Sequence, residues 1–501
     1  MITNIAEYLS ITADKFPDKT AFVDFNRSIT FSQLKSESAH IAYKLLLLGL
    51  NKQPVIVYLD KSVEVVSAFL GVARSGNFYS PIDTGMPAAR IGKIVDTLSP
   101  AAVITDRGHI DDVKKFIDNV PIVVYEDAMG CTIEESVVLN ATKNTLDSDL
   151  IYVLFTSGST GIPKGVMISH RGLIDFVSWA TDELKIDNTF VFGNQTPFYF
   201  SFPIYEIYCT IKNGCTTYII PGELFSEPAN LMKYLDDNKI TTIIWVPSAL
   251  CMVSAFRALN SPHVNSLKQV WFGAEVMPIK QLNKWRKAYP DVEYINLYGP
   301  TEVTDTASAY RVNREFADDE FLPIGDACRN KEILLLDDDG KNVEPGEIGE
   351  ICVRGSGIAY GYYNDRKRSD DVFVQNPLND KYPEIIYKTG DLGKKNQYGE
   401  LVYISRKDFQ IKHMGRRIEL GEIETNISSL DNVELCCCLY DANKKKIYAF
   451  YSGKAEENVL AESLKEKIPD YMIPNKWVHL DVMPLNLNGK TDRQKLKEMM
   501  R

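Results

Sequence analysis

From Pro54 onward, short apolar runs alternate with longer helix-forming stretches. PVIVYLD reads as a strand, SVEVVSAFLGVARSG as a helix and AAVITD as the next strand. TTIIWVP, LKQVWFGAE and VEYINLYG carry the rhythm forward. Strand–helix alternation of this kind predicts α/β architecture with largely parallel sheets. Near residue 345 the texture changes. EIGEICVRG, GELVYISR and DFQIKHM are short, rich in β-formers and punctuated by glycine, which predicts a compact β subdomain. The last ninety or so residues, with CCCLYDA, KIYAFYSG and NVLAESLKEKI, then run from strand to helix to strand, the pattern of a small α+β unit. The expected division is a large part over residues 1–405, a hinge at 406–408 and a small part over 409–501. No Pro- or Ser-rich linker marks the boundary, so a tight hinge is expected rather than a loose tether.

Composition narrows the function. A chain of 501 residues exceeds the usual single domain, and its 45% hydrophobic and 25% charged content is ordinary for a soluble protein. The net charge of -11 argues against a nonspecific grip on nucleic acid or an anionic membrane. Positive residues do gather at Arg406, Lys407, Lys412, Arg416 and Arg417. The opening MITNIAEYLSITADKFPDKT lacks the continuous apolar core of a secretion signal, and Leu45–Leu48 is far too short to span a bilayer. A cytoplasmic protein with no membrane insertion is the expectation. The nine cysteines include no CxxC pair. Cys436, Cys437 and Cys438 sit consecutively in a strand, so they alternate between faces and do not converge on a metal. Reduced, buried thiols are expected.

The strongest chemical signal is YVLFTSGSTGIPKGV. A strand-like entry leads into Thr156, Ser157, Gly158, Ser159, Thr160 and Gly161, whose hydroxyls and unencumbered amides can wrap a polyphosphate, with Lys164 adding positive charge. The GxxxxGK[ST] spacing of a Walker loop is absent. A Ser/Gly run alone reads equally as a surface loop. The ordered Pro163-Lys164-Gly165 exit and a helix-start pattern at Ser169 point the other way.

At this loop the sequence resembles the adenylate-forming superfamily, which includes acyl-CoA synthetases and the adenylation domains of nonribosomal peptide synthetases. The resemblance runs along the chain through LGVARSGNFYSPIDTGMPAARI, FGAEVMP, NLYGPTE, GEIGEICVRG, YKTGDL, SRKDFQIKHMGRRIELGEIE and NLNGKTDR. NLYGPTE, QIKHMGRRIELGEIE and IPDYMIP are closest in style to amino-acid adenylation domains and D-alanine–carrier protein ligases.

The resemblance implies ATP and Mg²⁺ as cofactors and a role for each block. Glu302 would hold the Mg²⁺, Thr301 would touch the α-phosphate, and Asn296, Leu297, Tyr298, Gly299 and Pro300 would border the nucleotide. Gly273, Ala274 and Glu275 would form the opposite adenine wall. Asp391 would accept the ribose hydroxyls, with Tyr403 and Arg406 nearby. Lys490 would be the catalytic lysine, bridging the substrate carboxylate and the α-phosphate. Family members rotate a mobile C-terminal part between two half-reactions. The hinge acid would be Asp408, although Ser405 replaces the usual glycine of that motif, and Gly415 would face an incoming thiol arm.

The acid is where this sequence departs from the family pattern. Ser201 stands where α-amino-acid enzymes carry an aspartate for the substrate ammonium, and serine has no charge to pair with it. Asp305 falls instead at a pocket position. The other pocket candidates are Phe202, Tyr205, Trp245, Val270, Phe272, Leu297 and Thr306. These point to a non-standard acid: a β- or ω-amino acid, or a hydroxylated or aromatic one. The expected partner is a phosphopantetheinylated carrier protein acting in trans. Free CoA as acceptor and a nucleotide-binding regulator without catalysis stand as the alternatives. His170 and His413 sit in no nucleophile arrangement and are expected to be structural or superficial.

Overall fold

The computed structural model describes residues 2–156, 163–255, 258–260, 263–407, 410–413, 416–441, 444–465, 467–468, 472–486 and 489–500. Two large sheets make up the α/β part. The six-stranded sheet runs in the order Ile122–Val124, Ala102–Thr105, Pro54–Tyr58, Phe78–Ile82, Leu150–Thr156 and Lys164–Ser169. All its pairs are parallel except the last. The nine-stranded sheet has a parallel centre, with Val191–Asn194, Thr242–Trp245, Gln269–Gly273 and Glu293–Tyr298 side by side. Antiparallel strands close both of its ends. The helix Val63–Arg74 is buried along its whole length, as expected where a helix packs between layers.

An antiparallel five-stranded sheet follows, and it begins earlier than the change in texture near residue 345. Its first strand is Lys331–Leu336, paired with Gly349–Gly355. The sheet ends at Leu401–Arg406, which pairs with Ile385–Lys395 and sets Arg406 opposite Asp391. Beyond it lie the hairpin Gln410–His413 with Arg416–Glu419 and a three-stranded sheet built on Val433–Asp441 and Lys446–Gly453. Alternation along Val433–Asp441 sends Cys437 and Cys438 into different apolar clusters. All nine cysteines are free thiols, seven of them buried.

Candidate active site

A cavity of about 530 Å³ opens between the nine-stranded sheet, the antiparallel sheet and the last part of the chain. Parallel strands place loops at their carboxyl ends, and those loops supply most of its floor. Ala274 and Glu275 follow the strand Gln269–Gly273, while Gly299, Pro300 and Thr301 follow Glu293–Tyr298. Gly273 is required because a Cβ there would stand 2.4 Å from the Leu297 carbonyl oxygen. Asn296, Leu297 and Tyr298 line the cavity too.

Asp391 is buried at one end. Tyr298 OH donates to its Oδ2 at 2.7 Å and Arg406 Nη1 to its Oδ1 at 3.1 Å. Burial raises its pKa, with Arg406 and Tyr298 opposing the rise. Tyr403 lines the same end. Glu302 follows the lining residue Thr301 but is itself 4% exposed and, like Lys164, is not on the cavity wall. Its Oε1 accepts from Lys164 Nζ at 2.8 Å and from Tyr362 OH at 2.7 Å. Burial works to raise this carboxyl, but the Lys164 ammonium and the two hydrogen bonds outweigh it and hold the pKa below the usual value. An ionised lone carboxylate suits Mg²⁺, which takes few protein ligands beside phosphate oxygens. Among the described residues no cluster of three or more His, Cys, Asp or Glu could cage a metal unaided.

Thr156 and Lys164 are paired across neighbouring antiparallel strands. Residues 157–161 of the expected phosphate loop lie outside the described residues. Ser169 caps the helix His170–Glu183, accepting from the Gly172 amide at 3.2 Å. That places the lysine strand directly ahead of a fixed helix.

The residues expected at the acyl end form a chain of hydroxyls around one carboxylate. Asp305 is 5% exposed. Ser201 Oγ donates to its Oδ1 at 2.7 Å and Thr306 Oγ1 to its Oδ2 at 3.0 Å. Thr301 Oγ1 donates to Ser201 Oγ at 3.3 Å, and Tyr205 OH lies 2.8 Å from Thr306 Oγ1. Burial raises the Asp305 pKa; the Ser201 and Thr306 hydrogen bonds and the Lys331 and Lys490 charges act against it. Ser201, Phe202 and Asp305 line the cavity. Trp245, Val270 and Phe272 do not: all three are fully buried in one apolar cluster, and Trp245 Nε1 donates to the Gly193 carbonyl at 2.9 Å. Tyr205 and Thr306 stand behind Asp305 rather than on the wall.

Lys490 enters from the last part of the chain on a tight turn, where the Asn486 amide donates to its carbonyl at 2.7 Å and Gly489 has φ +74°. Its Nζ lies 5.5 Å from the centre of the Phe200 ring. Burial lowers its pKa, and the charges of Glu275, Asp305 and Asp391 push the other way. Glu275 does more than border a nucleotide wall. Its carboxylate accepts from the Ser248 amide at 3.0 Å and the Thr491 amide at 3.2 Å. Ser248 Oγ also donates to the Gly489 carbonyl. Motif reading of the sequence misses Ser248, Glu424 and Arg493, which also line the cavity. Asp408 and Gly415 lie outside the described residues. His170 is structural: its Nδ1 accepts from the Ile5 amide at 3.1 Å, and burial lowers its pKa to about 4.

Residues 9–363 match the AMP-binding enzyme family, and the chain belongs to that family of acid-adenylating enzymes. It is 30% identical to Zwittermicin A synthase ZmaJ of Bacillus cereus over 99% of this chain and 95% of that protein. It is 29% identical to a D-alanine–D-alanyl carrier protein ligase of Bacillus licheniformis over 99% of each. The solved structure of Klebsiella oxytoca NpsA in complex with 3-hydroxyanthranilyl-AMSN shares the fold, with TM-score 0.86 and 20% identity over 100% of both chains. Among the described residues, no helix is long and apolar enough to cross a membrane.

Proposed function

We propose that this enzyme activates a short β- or ω-amino acid as its acyl-adenylate and passes the acyl group to the phosphopantetheine thiol of a separate carrier protein. One observation carries the choice of acid. Asp305 is the carboxylate beside Ser201 among the described residues, with Ser201 Oγ donating to it at 2.7 Å, so the anchor for an ammonium is carried by Asp305 rather than by the usual α-amino position. The full burial of Trp245, Val270 and Phe272 supports a short substrate, since these side chains are packed into the core rather than lengthening the cavity.

In the first step a carboxylate oxygen attacks the α-phosphorus of ATP, and the bond to the β-phosphate breaks as pyrophosphate leaves. Lys490 offsets charge between the carboxylate and the α-phosphate, with Thr301 beside them. Lys164, Thr156 and residues 157–161 receive the outgoing phosphates, and Asp391, steadied by Tyr298 and Arg406, accepts the ribose hydroxyls. Glu302 would hold Mg²⁺, which would supply charge neutralisation for the phosphates. In the second step the thiolate sulfur attacks the acyl carbon, the mixed anhydride opens and AMP leaves. For that step the part of the chain over residues 409–501 turns about Asp408 and withdraws Lys490. The match with carrier protein ligases along nearly the whole chain supports a carrier as acceptor.

A pyrophosphate-exchange panel tests the acid. β-Alanine or a related β- or ω-amino acid should lead, and Asp305→Asn should raise its KM by about tenfold or more, the loss of one buried charged hydrogen bond. A clear preference for D-alanine or another α-amino acid would overturn the reading. AMP release driven by free CoA without any carrier would overturn its second half.

A further inference from the structure

The turn that carries Asp305 is gripped by a cation from a different sheet. Thr304 and Asp305 both have positive φ, +55° and +67°. Non-glycine residues adopt this left-handed conformation only where the surroundings hold them in it. The holding group is Lys331, at the start of the first strand of the antiparallel sheet. Its Nζ donates to the Val303 carbonyl at 2.7 Å and also to the Thr306 carbonyl, the two acceptors that flank the left-handed pair. Gly357 leaves room for the lysine, since a Cβ there would meet Lys331 Cε at 2.5 Å. The Gly357 carbonyl in turn accepts from Thr304 Oγ1 at 2.7 Å.

We propose that Lys331 is a positioning residue for acid recognition, clamping the Val303–Thr306 carbonyls so that the Asp305 carboxylate stays at the acyl end of the cavity. The proposal rests on Asp305 being the anchor for the acid's amine. It adds an electrostatic consequence. The groups facing Asp305 are the Ser201 and Thr306 hydroxyls, the Lys331 and Lys490 ammoniums, and the buried Glu206, Tyr205 and Tyr152. Those facing Lys331 are Cys328, Asp175 and Asp305, with the Phe176 ring 5.8 Å away. Burial lowers the Lys331 pKa, and those three charges oppose the fall. Removing the lysine therefore takes away one of the two cations that favour the ionised form of Asp305.

The experiment is pyrophosphate exchange with the acid that ranks first in the panel, run on the wild type, Lys331→Met, Lys331→Arg, Gly357→Ala and Asp305→Asn. Lys331→Met should raise the KM of the acid about tenfold while the KM of ATP moves less than about twofold. The acidic limb of its kcat/KM profile for the acid should shift up by about one pH unit. Lys331→Arg keeps the charge and should leave that limb in place. Gly357→Ala, which crowds the lysine without removing it, should raise the acid KM in the same direction, and it serves as the test if Lys331→Met does not fold. An unchanged acid KM and an unmoved limb in Lys331→Met, with Asp305→Asn still impaired, would overturn the clamp alone. If Asp305→Asn is itself unimpaired, the anchor reading falls and the clamp falls with it.

Discussion

Glu206 shows how a single buried acid can govern stability. It sits fully buried on the helix Ile204–Asn213, with Asn194 Nδ2 donating to Oε1 at 3.1 Å and no partner for Oε2 among the described residues. Burial pushes its carboxyl up to about 8. The folded state therefore keeps a proton that the unfolded chain has released, and stability falls as pH rises from the ordinary carboxylate range through about 8. Lys61, lowered by burial to about 7, works with the opposite sign from there up to the ordinary lysine value, so the comparison must be with a variant that retains it. Glu206→Gln should match the wild type in thermal melting near pH 5 and exceed it near pH 8.5; parallel melting curves at both pH values would contradict this. At the residue scale, what the sequence conveyed depended on motif. Lys164, Glu302, Asp391 and Lys490 were candidates from the sequence because each stands in a recognisable block. Lys331 and Ser248 were not, because their partners are backbone carbonyls distant in sequence, and nothing local in KEILLL or VPSAL encodes that meeting.

Elements were more legible than contacts. The strands Pro54–Tyr58, Ala102–Thr105, Thr242–Trp245 and Glu293–Tyr298 all fall within the apolar runs that predict them, since buried parallel strands need continuous hydrophobicity. Lys331–Leu336 escaped notice. It opens on two charged residues and only Leu334 and Leu336 are buried, so its apolar signal is short. Trp245, Val270 and Phe272 look like pocket residues by position in the chain, yet their two neighbouring strands pack them into the core. The helix start at Ser169 was legible because a capping serine is a local device, and its bond to the Gly172 amide is present. Ser169→Ala should cost about 1 kcal/mol, read as a lower urea midpoint with unchanged slope. A midpoint equal to that of the wild type would mean that strand packing alone fixes the helix start.

At the scale of the whole molecule, Lys490 reaches the cavity because its turn is tied down by Glu275 and Ser248. Lys490→Ala should abolish adenylate formation, yet largely spare transfer from a supplied acyl-adenylate. Glu275→Gln keeps an acceptor for the Thr491 amide but removes the charge that favours the Lys490 ammonium. It should slow pyrophosphate exchange more than transfer. Equal loss in both half-reactions for either variant would refute this division of labour.

The cavity draws its floor from the nine-stranded sheet and its roof from the turn bearing Lys490. If that roof lifts to admit a thiol, it also admits water. The adenylate is then exposed to hydrolysis for as long as the roof is away, and an enzyme without its acceptor would run a slow, futile leak of ATP. The hydrogen bonds from Ser248 and the Thr491 amide thus set more than geometry. They govern how long a reactive anhydride is kept dry between being made and being used.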